Sequence, residues 1–212
     1  MMTKANTRDR PATEARLLKA VETLLTREGF SALGVNAVAR EAGIDKVLIY
    51  RYFDGMPGLL TAFAHSDAFW PGLEEVLGEG ASDLSKMPAA DRWATGLVRY
   101  ARALRRRPIV REVMAWEQVE KNELTEILRL RREEWFLALR ERLPGDDDLT
   151  DADTVSTVLV IATAIHYLIA RSRLHGDFNG MAIESDADWA HVEQIIHTMC
   201  SRTLRPKGKA ND

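Results

Sequence analysis

The chain has 212 residues, 46% of them apolar and 29% charged, a composition that suits one or two soluble globular domains with a sizeable core and excludes the disordered and fibrous classes. Its formal charge of −3 is unevenly spread: residues 1–56 carry nine Lys or Arg against seven Asp or Glu, net +2, leaving twenty against twenty-five, net −5, for residues 57–212. A single cysteine, Cys200, excludes an intrachain disulfide framework, and the polar, charged amino terminus lacks the apolar run of a secretory signal, so a cytoplasmic location is expected.

Residues 1–10 are polar, and Lys4, Arg8 and Arg10 can follow a DNA backbone as a flexible arm, although a solvated tail is the simpler reading. A first helix is expected after Pro11, capped by Thr13, with Leu17, Val21, Leu24 and Leu25 as its apolar stripe and Gly29 as its stop. The stretch from Val35 to Phe53 then predicts two short helices around a tight turn. Val35, Val38, Ala39 and Ala42 fall at helical spacing, Gly43 supplies the positive φ that ends the first helix, and Asp45 can cap the second. Ala39, Gly43 and Ile49 provide a small residue at the crossing, a glycine at the turn and a branched residue at the docking point, the requirements of a helix-turn-helix.

On the second helix of this pair, Ile49 and Phe53 are expected to face inward. That turns Val47 and Arg51 outward, with Lys46, Leu48, Tyr50 and Tyr52 on the flanks. Such a face suits a major groove: cations read guanine edges, apolar groups touch thymine methyls and phenols hold phosphates. Asn36, Lys46, Val47, Leu48, Tyr50, Arg51 and Tyr52 are therefore the candidate DNA contacts, with Lys46 and Arg51 for bases and Tyr50 and Tyr52 for phosphate. An ordinary helical pair inside an all-helical domain is the alternative.

The run from Arg16 to Phe30, then Val38-Ala39, Ala42-Gly43, and Tyr50-Arg-Tyr-Phe53 followed by Leu59-Leu60, resembles the amino-terminal domain of the TetR family of transcriptional regulators over about the first 60 residues. The chain departs from the family in three places. Gly34 stands where a threonine usually opens the second helix, Met56 where a lysine usually binds phosphate, and Val47 where a glycine is common, so operator sequence does not carry over from relatives.

Beyond Phe53, Gly55-Met-Pro-Gly58 predicts a turn into a helix burying Leu59, Leu60, Phe63 and Phe69, which Trp70-Pro71-Gly72 must kink or end. Residues 78–87 read as a loop, and further helices are expected at 89–106, 108–120, 122–143, 151–174 and 186–204. No sustained alternation occurs, so no sheet is expected. The apolar run Val155 to Ala170 has sixteen positions, short of the ~20 of a membrane helix. With the stripe Trp189, Val192, Ile195, Ile196 and Met199, it predicts a two-fold, four-helix interface between two copies, which matches how TetR-like proteins dimerise.

The carboxy-terminal body scatters Trp93, Tyr100, Met114, Trp116, Trp135, His166 and Tyr167 over several helices. If some converge they line an effector pocket, for which Trp93, Trp116 and His166 are the candidates; plain core packing is the default use of such rings. The resemblance implies a small-molecule effector that releases DNA. Arg99, Arg102, Arg105, Arg106, Arg107 and Arg111 read as a solvated face rather than an anion site, and Asp146-Asp-Asp148 with Asp151 and Asp153 as a loop and helix cap rather than a calcium site. No catalytic motif, metal spacing or cofactor signature is present, and Cys200 has no cue for activation.

The expectation is an all-α protein: a three-helix DNA-binding head with a helix-turn-helix over residues 1–56, a larger helical effector-binding and dimerisation body over 57–205, and a disordered tail at 206–212. Its partners are a double-stranded DNA operator, an unidentified small-molecule effector and a second copy of itself, with no membrane. The rival is a helical small-molecule-binding or enzyme-like protein that keeps the helix-turn-helix only as structure.

Overall fold

The computed structural model describes residues 10–66, 68–78, 82–142 and 152–204. Lys4 and Arg8 of the expected arm, Asp146–Asp148 and Asp151 of the acidic run, and the expected tail at 206–212 lie outside the described residues. The chain divides into two compact units, residues 1–70 with 120–131, and residues 71–119 with 132–212.

In the first unit, α1 (Arg10–Glu28) supplies the wall against which α2 (Val35–Ala42) and α4 (Met56–Ala64) pack, with α3 (Val47–Phe53) lying against α4. Its apolar stripe behaves as the periodicity predicts: Leu17, Val21, Leu24 and Leu25 are buried with Val38, Ile49, Leu59, Leu60 and Phe63. Each such side chain contributes about 1.5–3 kcal/mol relative to exposure. The helix begins earlier than expected, because Pro11 in its first turn lacks an amide that would be unsatisfied there anyway. Thr13 is thus inside α1 rather than its cap, and Arg10 is its first residue rather than part of a loose arm. At the far end, α4 stops at Ala64, well before Trp70-Pro71, where Ser66 donates its hydroxyl to the Phe63 carbonyl at 2.7 Å in competition with the helical bond. Phe63, Phe69 and Trp70 close the turn as a chain of tilted rings with 5.6 Å between successive centroids.

The second unit contains α5 (Leu73–Leu77), α6 (Ser82–Ser85), α7 (Ala89–Arg105), α8 (Pro108–Glu117), the later part of α9 (Glu123–Arg142), α10 (Ala152–Arg171) and α11 (Asp186–Thr203). The short α6 stands where a loop is expected; Leu84 anchors it, being fully buried. Helix α7 is central and packs on α5, α8, α10 and α11. It is tied to them by the arginines that the sequence reads as a solvated face. Arg102 grips Glu193 at 2.7 and 2.5 Å, and Arg105 bonds Asp186 at 2.8 Å while its guanidinium lies 4.8 Å over the Trp189 ring. Arg106 and Arg107 converge on Glu75 at 2.8 Å, and Arg99 donates to the Leu77 carbonyl at the end of α5.

Two expectations are corrected here. A small antiparallel hairpin, β1 (Asp177–Phe178) and β2 (Met181–Ala182), joins α10 to α11. Its strands are too short to show alternation, but Asn179 and Gly180, at φ 49° and 88°, form the two-residue turn with both φ values positive that favours hairpins. Further, Asp153–Arg171 forms one helix long and apolar enough to cross a membrane by length and composition, longer than the apolar run alone suggests. Val158, Ile161, Ile165 and Ile169 of this helix are buried inside the body, as in the core helix of a globular domain.

Candidate nucleic-acid interface

The turn between α2 and α3 is built as its residues require. Gly43 adopts φ 61°, and its amide and that of Ile44 return to the Arg40 and Ala39 carbonyls at 3.1 and 2.9 Å. From α1, Arg16 donates to the Ala42 carbonyl at 2.6 Å and the Gly43 carbonyl at 3.3 Å, placing a cation on the negative end of α2. Sequence reasoning missed this tie, since Arg16 is 26 residues from its partner. The Asp45 carboxylate accepts the Val47 amide at 2.9 Å and so opens α3, whereas Gly34 begins α2 without any side-chain cap.

The outward face of α3 is displayed as the spacing predicts. Ile49 is fully buried and Phe53 half-buried, while Lys46, Val47, Tyr50 and Arg51 are exposed and Leu48 and Tyr52 half-buried. Val47 and Tyr50 are 60% and 57% exposed, an orientation that brings large apolar groups outward without any internal reward. Asn36, at the start of α2, accepts from Lys46 at 3.4 Å, so these two exposed side chains lie together. Arg10 stacks 5.0 Å over the Tyr52 ring while bonded to Glu14, which steadies that phenol from α1. Arg51 has no ion-pair partner among the described residues.

Behind the face, α3 ends on Asp54 and Gly55 at φ 58° and 102°, and α4 starts almost at once. The approach is so close that a Cβ on Gly58 would lie 1.7 Å from the Phe53 carbonyl oxygen. Met56, in the position of the usual phosphate-binding lysine, is the first residue of α4 and is half-buried.

In the body, His166 of α10 meets Tyr100 of α7, the hydroxyl and Nε2 sharing a 2.6 Å hydrogen bond, and Trp135 of α9 stacks on Tyr100 at 5.1 Å. Beside them Glu117 and Arg132 form an ion pair. Burial holds His166 neutral, its pKa brought down to about 3 with help from the Arg132 charge, and raises the Tyr100 phenol well above its ordinary value. Burial likewise raises Glu117 despite Arg132. Trp135 Nε1 and Glu117 Oε1 are buried with no hydrogen-bond partner among the described residues. Trp93 and Trp116 stand half-exposed on α7 and α8. Glu117 and Arg132 escaped the sequence reading, because nothing local marks two opposite charges on different helices as partners. Cys200 is buried, its thiol pushed up to about 11 by desolvation, which leaves it unreactive at neutral pH. Among the described residues no group of three or more His, Cys, Asp or Glu is placed to hold a metal ion.

Residues 17–63 match the family model of bacterial regulatory proteins, tetR family. Two Mycobacterium tuberculosis proteins, from strains CDC 1551 and H37Rv and described as uncharacterized HTH-type transcriptional regulators, are 38% identical over 52 residues. That alignment covers 24% of this chain and 26% of theirs, so the match spans about a quarter of the length of these relatives. The fold as a whole is similar to that of the fatty acid degradation regulator FadR from Bacillus halodurans, with a TM-score of 0.63 at 14% identity over 97% of this chain and 100% of that one. A TetR family transcription regulator from Marinobacter aquaeolei follows at 0.56 and 20% identity, covering 93% and 98%. FadR from Bacillus subtilis in complex with stearoyl-CoA aligns at 0.50 and 14%, covering 90% and 95%.

Proposed function

Starting from residues 17–63 as a helix-turn-helix domain of the tetR family, we propose that the whole chain is a DNA-binding transcriptional regulator. It acts as a homodimer on a palindromic operator, and a small molecule held in the body releases it. The observation that carries this reading is the outward face of α3. Lys46, Val47, Tyr50 and Arg51 are exposed together on a helix whose opposite side is locked by buried Ile49 and whose start is fixed by Asp45. In the proposed complex Lys46 and Arg51 contact base edges, Tyr50 and Tyr52 the phosphates, and Asn36, Val47 and Leu48 complete the surface. The two copies of α3 would enter successive major grooves ~34–36 Å apart.

Dimerisation is supported by the apolar groups that α10 and α11 leave exposed, Leu159, Val160 and Tyr167 on the first and Ile195 and Met199 on the second. Light scattering at micromolar concentration checks it, and a monomer would contradict it. Effector binding is supported by the buried cluster of Tyr100, Trp135, His166, Glu117 and Arg132, whose unmet donor and acceptor suit a ligand with both polar functions. Trp93 and Trp116 are the further aromatic candidates for that site. Repression is the proposed outcome, relieved when the ligand shifts the equilibrium between DNA-binding and released conformations.

The test is selection of sites from random duplex DNA by the purified protein, with the winners retested across a salt series. A palindromic winner whose affinity falls steeply with salt supports the reading, since phosphate contacts release counterions. No enriched duplex would favour the rival, a helical ligand-binding protein that keeps the motif as structure.

A further inference from the structure

We propose that Val47 reads a thymine through its 5-methyl group, once in each half of the bound duplex, so that one position of the recognised sequence is set by an apolar contact rather than a hydrogen bond. This rests on the DNA-binding reading above and adds the chemistry of one base to it.

Val47 is the first residue of α3, and 60% of its surface is open to solvent. Its amide is held by Asp45 at 2.9 Å, so the backbone beneath the side chain is fixed. The branched side chain has one strongly preferred rotamer in a helix, and its methyls are therefore aimed at little entropic cost. Arg51 lies one turn further along the same face and Lys46 immediately before it, both exposed. An apolar group flanked by two cations, with exposed Tyr50 on the same helix, suits a polyanion that presents an apolar spot.

The major groove offers one such spot per A·T pair. Guanine shows two acceptors there, adenine an acceptor and a donor, and cytosine a donor, while thymine adds a methyl group to its acceptor. Against the purine edges or cytosine, the isopropyl group would cover polar atoms and return no hydrogen bond, which is unfavourable. Against thymine it removes apolar surface on both sides from water. The selection is for the methyl itself, so 5-methylcytosine should satisfy Val47 as thymine does.

The experiment takes the duplex selected by the full chain and replaces its thymines one at a time by uracil, which lacks only the methyl group. One symmetric pair of positions should stand out, with affinity falling about four-fold per half-site, the worth of one buried methyl. In Val47→Ala, checked for an unchanged melting temperature, thymine and uracil at that position should bind alike. Cytosine and 5-methylcytosine placed there should differ by a similar factor for the native chain and not for Val47→Ala. The proposal is overturned if no uracil replacement weakens native binding, or if the penalty survives intact in Val47→Ala. Failure of the native chain to bind any duplex overturns the DNA-binding reading itself, and this proposal with it; that result is distinct because it appears before any base is modified.

Discussion

The arginines at the end of α7 and Arg51 of α3 stand in opposite settings. In the body, Arg102, Arg105, Arg106 and Arg107 stand at the end of α7 like a nucleic-acid stripe, yet all four are ion-paired to carboxylates of other elements, Arg106 and Arg107 sharing Glu75. In the head, Arg51 has no such partner and points outward beside Lys46. The head also carries fewer cations, nine Lys or Arg in residues 1–56 against twenty in the rest. Counting positive charge alone would thus point to residues 57–212; what sets Arg51 apart is that no carboxylate is paired with it among the described residues.

The comparison can be broken most severely from behind α3. Gly58→Ala would force a Cβ to 1.7 Å from the Phe53 carbonyl. Since backbone rather than a flexible side chain must move, it should cost about 3 kcal/mol or more, toward the upper end for single substitutions, read as a lowered urea midpoint. Gly34→Ala is the control, because nothing lies within 4 Å of a Cβ there. In the body, Glu75→Gln leaves Arg106 and Arg107 facing a neutral amide. A loss of about 1.5–3 kcal/mol is expected from these charge-assisted bonds. Partial burial raises the Glu75 carboxyl, but its hydrogen bonds from Arg107 and Arg106 prevail and hold it below 4.5. This group's contribution is therefore present above that pH and is lost as the pH falls through its folded value.

His166 adds a second pH effect, in a higher window. The ordinary value is 6.5 and the folded value about 3, so between them the unfolded chain binds a proton that the folded chain refuses. Stability from this group should fall on acidification below pH 6.5, by up to about 1.4 kcal/mol per pH unit. Thermal melts of His166→Gln should show a flatter profile across that range. The smallest effect on stability belongs to the unpaired cation. Arg51→Ala should shift folding by no more than about 0.5 kcal/mol, as at other surface sites. Its affinity for the selected duplex should nevertheless fall by about 10-fold, within the range of a lost base contact. Titration of that duplex with the variant checks both the affinity and the retained sequence preference.

The head was legible because its determinants are local. The Gly43 turn, the Asp45 cap and the inward Ile49 each follow from residues a few positions apart, and all three stand where the spacing predicts. The body was legible as a set of helices but not as a site. Tyr100 and His166 are 66 residues apart, and no periodicity announces that they meet. Nor does a run of arginines announce its partners, as Glu193 and Asp186 lie on the last helix of the body. Short elements failed for a different reason: β1 and β2 have two residues each and α6 has four, too few for a period to be seen. The Asn179-Gly180 dipeptide is the local mark of the hairpin, and it escaped the sequence reading.

Arg16 gives the head a mechanical property. By clasping the Ala42 and Gly43 carbonyls from α1, it ties the end of α2 and the turn to a helix outside the motif. The amides of Gly43 and Ile44 should therefore exchange their hydrogens at the rate set by detachment of α1, not by fraying of a short loop. The turn between α2 and α3 is thus held from α1 as well as by its own backbone bonds.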